Sequence, residues 1–176
     1  MASGREAPIT HPLVAQLRFT RHEFIRGVRG VGDDEARLRL GTMNCISWNV
    51  GHLAWQEQRY FLGVEGKEIP FPDIQRDFSY GAPASTPRLD YVVEAWTAIT
   101  SAADPFLDTL TSADLLASPP GDGRPTKRTR GNLLQRMIYH YWYHNGENQA
   151  IRQQLGHTGL PEYVGDIDSM APFTAE

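Results

Sequence analysis

Residues 132–157 read NLLQRMIYHYWYHNGENQAIRQQLGH. Taken at a spacing of three and four they give one face, Leu133, Met137, His140, His144, Glu147, Ile151 and Leu155, the period of a helix buried along one side. The ends of this stripe are apolar, but two histidines and a glutamate hold its centre, where a plain bundle helix carries Leu or Ile. Polar groups that face a core must find partners, so a metal ion, a dense hydrogen-bond network or a water-filled pocket belongs there. Residues four apart on a helix differ in direction by about 40° and stand roughly 6 Å apart along the axis. His140 and His144 can therefore aim both imidazoles at one ion. A bare HxxxH pair is equally a pair of hydrogen-bonded core histidines, and a third ligand elsewhere in the chain would separate the two readings.

The chain has 176 residues, which fits one domain spanning 1–176 that buries roughly 70% of its unfolded surface without a staple. A metal here would be functional rather than structural. With 17 basic and 21 acidic residues and a net charge of −4, the chain lacks the electrostatic footprint of a nucleic-acid binder. Cys45 is the one cysteine, which excludes an intramolecular disulfide and a cysteine zinc cluster. No apolar run is long enough for a membrane span and residues 1–12 lack a signal-peptide core. The expectation is a soluble cytoplasmic protein with a small-molecule substrate and neither nucleic acid nor membrane as partner.

Four amphipathic segments emerge, near 11–29, 43–63, 87–111 and 131–155. In the first, Thr10 is a candidate cap and Leu13, Val14, Leu17, Phe24, Ile25 and Val28 recur at helical spacing. His22 sits between Arg21 and Glu23 and reads as solvated. The second carries the stripe Cys45, Trp48, His52, Trp55, Arg59 and Leu62, with a histidine again at the centre of a bulky apolar face. Gly51 inside this helix costs about 1 kcal/mol against Ala, which points to close packing beside His52. Cys45 lies on the order of 10 Å from His52 along the axis and reads as a small core hydrophobe. Residues 64–85 are rich in Gly, Pro and aromatics and read as an ordered flap anchored by Phe71, Phe78 and Tyr80. The third segment opens at Thr86 and Pro87, follows Leu89, Val92, Val93, Trp96, Ile99, Ala103, Phe106 and Leu110, and is kinked or interrupted at Pro105. A basic loop with Arg124, Lys127, Arg128 and Arg130 precedes the last helix, which stops at Gly156. The tail, 157–176, reads as a cover over the bundle or over a neighbouring subunit, with His157 a cation near the helix end.

Together these segments point to an all-α, antiparallel four-helix bundle with long crossover loops. At GHLAWQE, carrying His52, and HYWYHNGENQAIRQQLG, carrying His140 and His144, the chain resembles the DinB-like (DinB/YfiT) superfamily, over roughly residues 12–156. The resemblance implies an up-down-down-up bundle with a divalent metal, often zinc or nickel, on one histidine of the second helix and two of the fourth. On this sequence those are His52, His140 and His144. Three neutral histidines with an open fourth position are also the arrangement of catalytic zinc. Many members carry Arg-Gly-Gln after the last ligand, whereas Asn145, Gly146 and Glu147 stand here. Family members are often dimers, and the aromatic content and the third helix also point to a homodimer.

Rival chemistries fail on particular residues. A metalloprotease helix reads HExxH, but Tyr141 follows His140. A di-iron bundle needs ExxH pairs, but Ala150 stands three places after Glu147. The leading functional expectation is a thiol-dependent transferase or isomerase using a low-molecular-weight thiol as cosubstrate. A non-catalytic ligand-binding or stress-response module and a metal-dependent hydrolase are the alternatives. Glu147 is the candidate catalytic residue, as a proton acceptor or a support of the ligands, against a plain ion pair with Arg59.

Overall fold

The computed structural model describes residues 10–121 and 128–174. These form α1 (Pro12–Val28), α2 (Asp33–Ala36), α3 (Ile46–Gln58), α4 (Ile74–Phe78), α5 (Leu89–Leu107), α6 (Ser112–Leu116), α7 (Arg130–Gln154) and α8 (Ile167–Met170), with a π-helical turn, Arg59–Gly63, closing α3. Among the described residues there is no strand, and no helix is long and apolar enough to cross a membrane. The long helices pair α1 with α7 and α3 with α5, and α3 also packs on α7. This all-helical bundle follows the four stripes read from the sequence.

The helix ends follow local chemistry. The His11 Nδ1, not Thr10, caps α1 by accepting the Leu13 N–H at 3.1 Å. Helix α3 begins at Ile46, after Cys45 at its cap, and α5 begins at Leu89 after Arg88, each a little later than the sequence signals. Pro105 sits in the last turn of α5, which ends two residues on. Gly156 takes φ +82° directly after the C-cap of α7, a left-handed conformation that glycine adopts without steric cost.

Helix α7 is buried on more than one stripe. Leu133, Met137, His144 and Ile151 follow the stripe read from sequence, but Leu134, Ile138, Tyr141, Asn145, Asn148 and Arg152 are buried as well. Arg152 donates to the Gly27 carbonyl of α1 at 2.6 Å, and the Tyr141 and Phe24 rings meet edge-on at 5.2 Å. His157, past the end of α7, is held on both ring nitrogens. Its Nδ1 accepts from Arg152 and its Nε2 faces Glu35 at 3.2 Å. His22 is exposed as its neighbourhood implies, yet Arg21 and Glu23 beside it are both buried.

The flap is tied to α3 by side chains. Both amide atoms of Gln58 bind the Phe71 backbone, and Trp55 Nε1 donates to Gln75 Oε1 at 2.6 Å. Phe78 is buried and Phe71 packs on the core, but Tyr80 is 90% exposed and anchors nothing. It lies in a turn past the end of α4. The tail covers α1 and α7: Gln16 donates to the Ala171 carbonyl, the Gly165 N–H binds Glu23, and Tyr163 packs on Trp142. Of the basic loop, Arg124 and Lys127 lie outside the described residues, while Arg130 forms a two-pronged pair with Glu65.

Candidate metal centre

His52 sits mid-way along α3, and His140 and His144 sit one turn apart on α7. Where α3 crosses α7 the His52 ring meets His140 and His144 edge to face, with centroids 5.0 and 5.5 Å apart, and the His140 and His144 rings are tilted to each other at 4.7 Å. One nitrogen from each ring lies within 4.8 Å of the others, an arrangement that could hold a metal ion. The His140 and His144 Nε2 atoms face each other at 3.0 Å.

The outer nitrogens fix the inner ones. A carbonyl can only accept, so the His52 Nδ1–H donates to Phe78 O at 2.7 Å and leaves Nε2 as a bare lone pair. The His144 Nδ1 binds Glu147 Oε2 at 2.8 Å, which likewise directs its Nε2 lone pair inward. These are the partners that metal-binding histidines generally have. The His140 Nδ1 is buried and without a partner. Burial, reinforced by the neighbouring imidazoles, pushes His140 down to about 3. Burial pushes His52 down to about 4 against the opposing Phe78 carbonyl. Both rings are thus neutral near pH 7, as ligands must be. Three imidazoles converging on one point, two of them with their outer nitrogens engaged, fit a divalent ion.

Tryptophans flank the centre. Trp48 stacks on the His52 ring at 4.7 Å and Trp55 lies against it at 5.2 Å, one turn to either side on the same helix face. Gly51 is required on the adjoining face. A Cβ there would stand 2.7–2.9 Å from carbons of the Phe78 ring, and it is Phe78 that supplies the carbonyl for His52. Glu147 does not pair with Arg59, whose guanidinium lies over the Trp55 and Tyr60 rings instead. Cys45 is buried at the start of α3, with Ser47 and the Ser85 carbonyl as its Sγ neighbours.

Sequence reasoning overlooked the amides beside the centre. Asn49 of α3 donates to Glu147 Oε2 and to Asn148 Oδ1, and Asn145 is buried one place past His144. The available signal was asparagine in helix interiors, where it is unfavourable without a dedicated partner.

An all-helical bundle with three convergent histidines defines a class of protein, and the comparison with known families agrees. Residues 16–148 match the DinB superfamily. The chain belongs to that superfamily, and the matched span contains His52, His140, His144 and Glu147. A comparison with curated proteins gives no match.

Proposed function

We propose that the chain is a metal-dependent enzyme in which His52, His140 and His144 hold one divalent ion, zinc or nickel, and that it transfers or isomerises a small electrophilic substrate with a low-molecular-weight thiol. The observation that carries this reading is the convergence of three imidazoles, two of them with their outer nitrogens already engaged. Such an ion supplies acidity, so that a coordinated thiol is available as thiolate at neutral pH. The protein's own residues do the rest. Phe78 O and Glu147 orient two of the rings, and Trp48, stacked on His52, with Trp55, tilted against it, keeps water from the centre. Glu147, through its contact with His144 Nδ1, supports that ring and serves as an acceptor for a proton leaving the site.

A cavity of about 480 Å³ is lined by Trp55, Arg59 and Gln75, among others, and so adjoins the residue whose ring lies against His52. For the assembly we keep a homodimer. Tyr139 and Tyr143 stand 68% and 70% exposed one turn apart on α7, an aromatic face available to a second copy. Sedimentation at the monomer mass of 19.8 kDa at micromolar concentration would overturn it.

The test of the main reading is stoichiometry followed by turnover. Protein purified without chelators and offered zinc or nickel should bind one equivalent, and His52→Ala, His140→Ala and His144→Ala should each lose it. The loaded protein should then consume a thiol with one member of a panel of electrophiles. Unchanged binding by His52→Ala removes the three-histidine centre from consideration.

A further inference from the structure

Asn49 lies one turn before His52 on α3 and is fully buried. Its Nδ2 donates to Glu147 Oε2 at 3.1 Å and to Asn148 Oδ1 at 2.8 Å. The same Glu147 oxygen meets His144 Nδ1 at 2.8 Å. One amide of α3 therefore grips the carboxylate that orients a histidine of α7. The contact joins the helix of His52 to the helix of His140 and His144, at the level where their rings must meet.

This arrangement is poor structural economy. Asn49 Oδ1, Asn148 Nδ2 and both amide atoms of Asn145 are buried without partners, and each such group costs folding free energy that an apolar residue would not. Leu at this place would bring no unpaired amide oxygen of its own. What Leu cannot do is donate to Glu147.

We propose that Asn49 is a positioning residue of the centre. It holds the Glu147 carboxylate against His144 Nδ1, which keeps the proton on that nitrogen and leaves Nε2 bare and aimed at the point shared with His52 and His140. The inference rests on the three-histidine reading for its consequence in metal affinity, but the hydrogen-bond relay itself exists without an ion.

Two measurements on the purified full chain test it. In the metal-free protein, nitrogen-15 shifts of the imidazoles report the His144 tautomer. The wild type should show one tautomer, protonated at Nδ1, and Asn49→Leu should show a mixture. Titration with zinc should then give a 10- to 100-fold weaker Kd for Asn49→Leu. In a Glu147→Gln background, Asn49→Leu should weaken binding little further, because both act through one carboxylate. Asn49→Ala serves as the smaller replacement if Asn49→Leu does not fold. An Asn49 variant with an unchanged His144 tautomer and unchanged zinc affinity overturns the proposal. A wild type that shows the single tautomer yet binds no zinc overturns the metal reading and leaves the relay standing.

Discussion

Arg21 and Glu57 form a two-pronged ion pair inside the bundle, Nε to Oε1 at 2.8 Å and Nη2 to Oε2 at 2.7 Å. Tyr141 OH donates to the same carboxylate at 2.9 Å, Trp96 Nε1 donates to Tyr141 OH at 2.7 Å, and Arg21 Nη1 reaches Asp104 at 2.8 Å. The four long helices each contribute to this network, and Tyr141 adjoins His140. Arg21→Leu takes the counter-ion from Glu57 in the core, leaving that carboxylate the Tyr141 hydroxyl, and should cost about 3–5 kcal/mol. Adding Glu57→Gln should recover part of that loss. Urea unfolding of the single and double variants measures both, and a single variant within about 1 kcal/mol of wild type would contradict a buried, ionised pair.

Gly51→Ala sets helix propensity against packing. An exposed helical glycine replaced by alanine gains about 1 kcal/mol. Here the new methyl meets the Phe78 ring at 2.7–2.9 Å, and overpacking of this kind costs about 1–3 kcal/mol. The variant should be less stable than wild type, and the displaced Phe78 carbonyl should loosen His52 and weaken zinc binding. A thermal midpoint that rises on this substitution would sink the argument.

The apolar stripes were legible because burial on one face imposes a period, and the histidines were legible because they interrupt it at mid-helix. What escaped was burial on a second face. Tyr141, Asn145, Asn148 and Arg152 lie off the stripe that carries His140 and His144, so a single 3–4 count along α7 leaves them on the solvent side. Arg21 and Glu23 escaped for a related reason. Charge in a sequence reads as exposure, and only the pairing of Arg21 with Glu57, 36 residues away, makes burial affordable. The role of Phe78 could not be read at all, since its contribution to the centre is a backbone carbonyl and any residue could provide one. Tyr80 shows the converse, an aromatic in the flap that packs on nothing.

Removing a bound ion should lower stability by mass action. A ligand held a thousandfold above its Kd stabilises the folded chain by about 4 kcal/mol, so chelator added to zinc-loaded protein should drop the thermal midpoint by several degrees. His144→Ala should be insensitive to the same treatment. Equal chelator sensitivity in both would place the ion somewhere other than the histidine cluster.

The metal-free protein should lose stability in acid because of the same histidines. Burial holds His140 at about 3 and His52 at about 4, against an ordinary value of 6.5. Both rings therefore stay neutral in the fold at pH values where they are protonated in the unfolded chain. From about pH 6.5 downward the unfolded chain binds more protons, so stability falls with pH, and each ring adds a slope of about 1.4 kcal/mol per pH unit at most. The contribution is intact above pH 6.5, is lost as pH falls through about 4 for His52 and about 3 for His140, and levels off below. Carboxylates add their own acid dependence, so the comparison that isolates the histidines is wild type against His140→Leu, both with chelator present. Urea midpoints between pH 7 and pH 4.5 should fall more steeply in the wild type, and parallel profiles would show that His140 is not held neutral by its surroundings.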